Sequence, residues 1–229
     1  MSDSNADRRK AMLDRIHDGV RDRRSDAERA KAVAERLAGQ KPHLIPERAR
    51  RDAAGLEALF AEQLTAASAT VIAVASQSEV PEAIATYLRS TNLPMRVRMG
   101  SDQRLAALPW TSQTALELVT GPADAKDEVG LSHALAGVAE TGTLMMASGP
   151  DNPVTINFLP ENHVVVVQAA DIAGHYEAAF DKVRARFGRG SMPRTINMIS
   201  GPSRTADIGG RPVLGAHGPR RLCVVVVGA

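Results

Sequence analysis

Three segments of the chain combine reactive side chains with glycines that let a ligand approach the backbone closely. The first is AETGT, Ala139 to Thr143, set between two apolar runs. Glu140 at a strand end could act as a base or nucleophile, or accept from a ligand hydroxyl. Thr141 and Thr143 add hydroxyls, and Gly142 supplies the turn. The same residues also fit a plain hairpin with a solvated Glu140.

The second segment is SGPSRTADI, Ser200 to Ile208, after the apolar run Thr195–Ile199. A Gly201–Pro202 turn followed by Ser203, Thr205 and Asp207 resembles a strand-to-helix turn. Free backbone N–H groups at such a helix start attract anions. Ser200, Ser203 and Thr205 would add hydroxyl donors, and Arg204 can fork onto a carboxylate or phosphate. Plain capping by Ser203, with Arg204 in solvent, fits the same string. The third segment is GAHGPR, Gly215 to Arg220. His217 titrates near neutrality and could move a proton between flanking glycines, or it could simply sit in a turn.

These segments need a scaffold, and the apolar pattern gives one. Asp7 to Gly19 reads as a helix with Met12, Leu13, Ile16 and Val20 at helical spacing. Ser25, with Glu28 three residues on, forms a capping box before a second helix that ends near Gly39 and Pro42. Residues 1–45 thus form a helical N-terminal extension with a narrow apolar face suited to docking, and residues 46–229 form the main domain. Arg48 to Leu64 reads as a third helix. Strands follow at Thr70–Ala75, Met95–Met99, Ala115–Val119, Leu135–Val138, Leu144–Ala147, His163–Gln168, Thr195–Ser200 and Leu222–Val227. Helices fall between them at Val80–Leu88, opened by Pro81, and at Ile172–Phe187. Strands that are apolar without alternation indicate a sheet buried on both faces. The expected fold class is therefore α/β, a largely parallel sheet with flanking helices. Leu159 to His163, LPENH, reads as turn chemistry leading into a strand.

Composition narrows the function. The chain has 229 residues, 44% hydrophobic and 24% charged, with net charge +2. That excludes a disordered chain and leaves room for one core. No apolar run reaches the ~20 residues of a membrane helix, and Met1 to Lys10 lacks an apolar signal core. A cytoplasmic location is the expectation. The lone cysteine, Cys223, permits no internal disulfide and no cysteine-ligated cluster within this chain. It reads as a small buried hydrophobe. Net charge is +3 over residues 1–60, −8 over 61–180 and +7 over 181–229. Aromatics make up only 3%, so nucleic acid is disfavoured for want of stacking platforms. Arginines spread over the C-terminal lobe suit a small anion or an acidic partner.

Standard cofactor and hydrolase motifs are missing. Gly188 and Gly190 begin a dinucleotide fingerprint, but Pro193 stands at its third glycine and the string follows a helix. There is no P-loop and no HExxH, and the six histidines show no metal-ligand spacing. The string around Ser203 lacks the second glycine of a nucleophile elbow. No metal site and no cofactor are expected in this chain.

AETGT, LPENHVVVV, ISGPSRTADI and GAHGPRRLCVVVV stand in one order and spacing. Together they resemble the LUD domain family, in its lactate utilisation branch, from about Arg48 to the C-terminus. The resemblance implies an α/β fold related to the sugar-phosphate isomerase and CoA-transferase superfamily. It implies a non-redox subunit in a system oxidising L-lactate to pyruvate. Iron–sulfur clusters would then sit on cysteine-rich partner subunits, in keeping with the single cysteine here. By analogy with the superfamily, Glu140 to Thr143 and Ser200 to Thr205 would line one pocket for a small carboxylate or phosphate, with His217 and Arg220 at its edge. Two other readings stay open. One is an independent enzyme on a sugar phosphate or acyl thioester, with Glu140 as nucleophile or base. The other is a binding or assembly protein. A homo-oligomer is a further expectation.

Overall fold

The computed structural model describes residues 4–20, 24–39, 44–188, 190–205 and 213–228. It divides into two compact units, Met1–His43 and Leu44–Ala229. The first contains helices α1 (Asn5–Val20) and α2 (Asp26–Ala38). Ser25 caps α2 through the expected reciprocal box: its Oγ accepts from Glu28 N at 3.3 Å, and its own N–H donates to Glu28 Oε2 at 2.7 Å. On α1, Met12, Leu13 and Ile16 are exposed.

The second unit opens with a single 3-10 turn, Glu47–Ala49, and then helix α3 (Ala53–Ala66). The helix begins later than the apolar spacing suggests. Asp52 takes the Gly55 N–H at 2.9 Å and fixes the start there. Next come β1 (Thr70–Val74), α4 (Val80–Ser90), β2 (Arg96–Met99), α5 (Gln103–Ala106), β3 (Glu117–Thr120) and β4 (Val129–His133). The hairpin β5 (Ala136–Val138) and β6 (Thr143–Ala147) precedes α6 (Val154–Phe158) and β7 (Asn162–Gln168). β8 (Ile172–Ala173), α7 (Tyr176–Phe187), β9 (Ile196–Ile199), β10 (Arg204–Thr205), β11 (Val213–Leu214) and β12 (Arg221–Val227) complete it.

Six strands form one sheet in the order β1-β12-β7-β4-β2-β3, every neighbouring pair parallel. The valine runs of β7 and β12 lie side by side, Val164 against Cys223 and Val167 against Val226. Alternate residues serve two cores. Val164, Val166, Cys223 and Val225 meet Val80, Ile84 and Leu88 of α4. Val165, Val167, Val224 and Val226 meet Leu59, Phe60 and Leu64 of α3 together with Leu144 and Met146 of β6. Burial on both faces explains why these strands carry no polar alternation.

β6 belongs to a second, smaller sheet, β8-β5-β6-β9. Its Met145 points the other way from Leu144 and packs with Ala179 and Val183 of α7. The layers are therefore α4, the parallel sheet, the smaller sheet with α3, and α7. Burial of Cys223 pushes its thiol up to about 12, as expected of an inert core residue. No helix among the described residues is long and apolar enough to cross a membrane.

Three local differences from the sequence pattern have physical causes. β4, VGLSH, escapes the apolar pattern because Gly130, Ser132 and His133 interrupt it, yet all five of its residues are buried. Ile172 and Ala173 do not start a helix but pair with β5, so α7 begins only at Tyr176. Arg204 and Thr205 do not enter a helix either. They pair antiparallel with Leu214 and Val213, which replaces the expected strand-to-helix turn. Ala206, Asp207 and Ile208 lie outside the described residues.

Candidate functional site

A cavity of about 260 Å³ opens where the parallel sheet begins and the smaller sheet ends. Leu222 at the start of β12, His163 at the start of β7 and Asn157 and Phe158 of α6 line it. Met198 and Ile199 of β9 and the loops from Ser200 and His217 line it as well. The volume is below the ~300–1,000 Å³ usual for larger organic ligands, which suits a small metabolite.

The two loops are tied together through Ser203. Its N–H donates to Pro219 O at 2.8 Å and its O accepts from Gly215 N at 3.0 Å. Its hydroxyl accepts from the His217 N–H at 3.3 Å. The Ser203 amide is thus committed within the loop rather than presented at a helix start. Gly201 passes α3 with φ +143°, where a Cβ would lie 2.9 Å from Ala67 O. Arg204 is exposed, and one of its N–H groups donates to Ala67 O at 3.1 Å. That anchor leaves the rest of the guanidinium available to an anion.

Five of the sequence candidates line this cavity: Ser200, Gly201, Ser203, Arg204 and His217. The AETGT residues stand behind the wall and do not line it. Thr143 nevertheless reaches the cavity through Ser200, its Oγ1 lying 2.5 Å from the Ser200 hydroxyl. It also lies 2.7 Å from Thr141 Oγ1 and 3.0 Å from the Tyr176 hydroxyl, and Thr141 Oγ1 is 3.0 Å from that same Tyr176 group. Gly142, with φ +62°, turns the hairpin against α3, where a Cβ would sit 2.7 Å from Leu64 N. Glu140 is buried, and its Oε1 accepts from the Tyr176 N–H at 3.2 Å at the start of α7. Thr205 pairs in β10, and Arg220 makes an exposed ion pair with Glu161 at 3.6 Å. Neither lines the cavity.

A buried polar chain that includes the lining residues Asn157 and His163 has no counterpart among the sequence candidates. His163 Nε2 lies 3.0 Å from Ser132 Oγ, which donates to Asn157 Oδ1 at 3.1 Å. All three residues are at least 98% buried. Burial pushes His163 from its ordinary value of 6.5 down to about 3, so its ring is neutral. The available signal was polar residues inside apolar strands: Ser132 within VGLSH, and His163 directly before VVVV. Among the described lining residues Arg204 is the one permanent cation, His217 adds an imidazole, and none is a carboxylate. The cavity is electrostatically suited to an anion held at the loop side, with neutral polar groups opposite. Among the described residues no group of three or more His, Cys, Asp or Glu side chains could hold a metal ion.

A sequence model of the LUD domain matches residues 57–227. Lactate utilization protein C of Shouchella clausii is 32% identical over 100 residues, 44% of this chain and 44% of that protein. The protein of the same name from Bacillus subtilis is 32% identical over 100 residues, 43% of this chain and 42% of that one. The match thus spans less than half the length of these relatives. A crystal structure of a DUF162 family protein from Deinococcus radiodurans superposes with TM-score 0.61, covering 78% of this chain and 99% of that one at 24% identity. That likeness concerns the fold.

Proposed function

The chain belongs to the LUD domain family, and on that premise we propose that it serves a lactate utilisation system by binding a small monocarboxylate in the cavity beneath Arg204. The observation that carries this reading is the charge of the cavity wall, with the Arg204 guanidinium on it and no carboxylate among the described lining residues. L-Lactate and pyruvate both present one carboxylate, which the free edge of the Arg204 guanidinium would hold. Ser200 and Ser203 offer hydroxyls beside it. The names of the relatives in Shouchella clausii and Bacillus subtilis support the lactate assignment.

In this proposal the chain is a non-redox subunit. Its one cysteine is buried with a thiol pushed up to about 12, a poor electron-transfer ligand. Electrons from L-lactate would then pass to iron–sulfur clusters on cysteine-rich partner subunits. Two measurements test the reading. Calorimetric titration with L-lactate and pyruvate should give binding that Arg204→Ala weakens about tenfold or more, because a charged hydrogen bond contributes roughly 1.5–3 kcal/mol. Unchanged affinity in that variant removes the assignment of Arg204. Gentle affinity purification from native cells should co-elute iron–sulfur absorbance, and a colourless solitary chain counts against the complex.

A further inference from the structure

Asn157 of α6, a residue of the cavity wall, carries an unmatched donor. Its residue surface is fully buried, it is one of the residues lining the cavity, and its Nδ2 has no hydrogen-bond partner. Buried amide groups are rarely left so, because an unsatisfied donor is costly. The opposite end of the same carboxamide is firmly held. The Ser132 hydroxyl has a single proton and gives it to Asn157 Oδ1. His163 Nε2 must therefore carry the proton that Ser132 Oγ accepts. The chain runs in one direction, from His163 N–H through Ser132 O–H to Asn157 C=O, and it leaves the Nδ2–H group as its free terminus.

Resting on the assignment of this cavity to a small carboxylate, we infer that Asn157 is a specificity-determining residue that donates to an uncharged acceptor oxygen of the ligand. The ligand class this selects is a monoanion with a second, neutral oxygen, either hydroxyl or carbonyl. The carboxylate goes to the Arg204 side and the neutral oxygen to Asn157. Ser132 and His163 are positioning residues that keep the carboxamide from rotating. Because the Asn157 wall holds no charge, a second anionic group there would be desolvated without a counter-ion, which disfavours dicarboxylates and phosphate esters. A site built to hydrogen-bond a ligand oxygen rejects the analogue that lacks it.

The test compares L-lactate, pyruvate and propionate by calorimetric titration against the full chain and against Asn157→Leu, which keeps the volume and removes the donor. The full chain should bind L-lactate or pyruvate about tenfold or more tighter than propionate. In Asn157→Leu the three should bind alike, with propionate unchanged. If the full chain binds all three equally, or the variant keeps the preference, Asn157 has no such role while the carboxylate site stands. If none of the three binds the full chain, the carboxylate site falls and this inference with it. A second measurement needs no variant: nitrogen-15 NMR of labelled histidine should show His163 protonated at Nε2. Protonation at Nδ1 reverses the chain, puts the carboxamide oxygen at its free end and overturns the inference.

Discussion

The Thr143 hydroxyl lies 2.5 Å from that of Ser200, 57 residues away in sequence. This contact couples the β5–β6 turn, anchored on α3 by Gly142, to a loop that lines the cavity. Thr143 is fully buried and has hydroxyl neighbours on three sides, from Ser200, Tyr176 and Thr141. Thr143→Val keeps the shape and deletes the shared oxygen, so the remaining hydroxyls lose a buried partner. A loss of about 1–3 kcal/mol is expected in urea denaturation, with weaker L-lactate binding through a displaced Ser200. Thr143→Ser should restore both. A Val variant as stable as the parent would show that the cluster is incidental.

Glu140 is expected to act on α7 more than on a ligand. Its carboxylate accepts the N–H of Tyr176, the first residue of that helix, where negative charge also meets the positive end of the helix dipole. Glu140→Gln keeps an acceptor and loses the charge, so it should cost about 0.3–1 kcal/mol. Glu140→Ala loses the cap as well and should cost about 1–2 kcal/mol. Titration with L-lactate should be unaffected by Glu140→Gln. A large loss of affinity, with stability retained, would return Glu140 to the ligand site.

Acid should destabilise the second unit from near neutrality downward. Burial holds His163 at about 3 in the folded chain against an ordinary 6.5. Burial, followed by the charge of Arg104, also lowers His133. Above pH 6.5 both folded and unfolded chains carry these rings neutral, so stability is fully present. Below it the unfolded chain takes up protons that the folded chain refuses, and stability falls, for His163 until about pH 3. The slope is about 1.4 kcal/mol per pH unit for His163, and His133 acts in the same direction. In denaturant titrations at several pH values, His163→Gln should cost most at pH 8 and progressively less toward pH 4. Parallel curves for parent and variant would sink the assignment.

The fold was legible where burial on both faces left unbroken apolar runs. β1, β7 and β12 read directly from TVIAV, HVVVVQ and LCVVVV, and the Ser25–Glu28 box read directly from residue types. β4 did not, because Ser132 satisfies its polarity through tertiary contacts with His163 and Asn157 that no local pattern encodes, and His133 through the carbonyl of Ala134 beside it. The cavity was half legible. Ser200, Ser203, Arg204 and His217 stood out as polar groups among glycines, while Asn157 and His163 looked like ordinary turn and strand-start residues. The anion-binding helix start at Ser203 was misread because Gly-Pro-Ser also suits a bend, and the partners of that bend, Pro219 and Gly215, lie more than ten residues on.

Asp127 provides the clearest electrostatic test of the sheet edge. Its carboxylate is almost fully buried, with Arg98 Nε at 2.8 Å, the Asp124 N–H at 3.0 Å and Arg96 Nη1 at 3.3 Å. Burial works to raise its titration, and the Arg98 and Asp124 hydrogen bonds with the two guanidinium charges outweigh that, holding it below the usual carboxylate range. Arg96 and Arg98 are neighbours on β2, so the carboxylate also offsets their mutual repulsion. Removing it leaves the mostly buried Arg98 without a counter-ion, which typically costs about 3–5 kcal/mol. Asp127→Ala should approach that loss, and Asp127→Asn, which keeps an acceptor for Asp124, should lose less. The stability due to this carboxylate is present above its unfolded value and is lost as pH falls through its lowered folded value. The gap between parent and Asp127→Asn should therefore stay constant above the ordinary carboxylate value of 3.8 and close only below it. Raising salt at pH 7 should narrow the gap only slightly, because charges this buried are poorly screened. A gap that vanishes in moderate salt would instead mark Asp127 as an ordinary surface partner of Arg96.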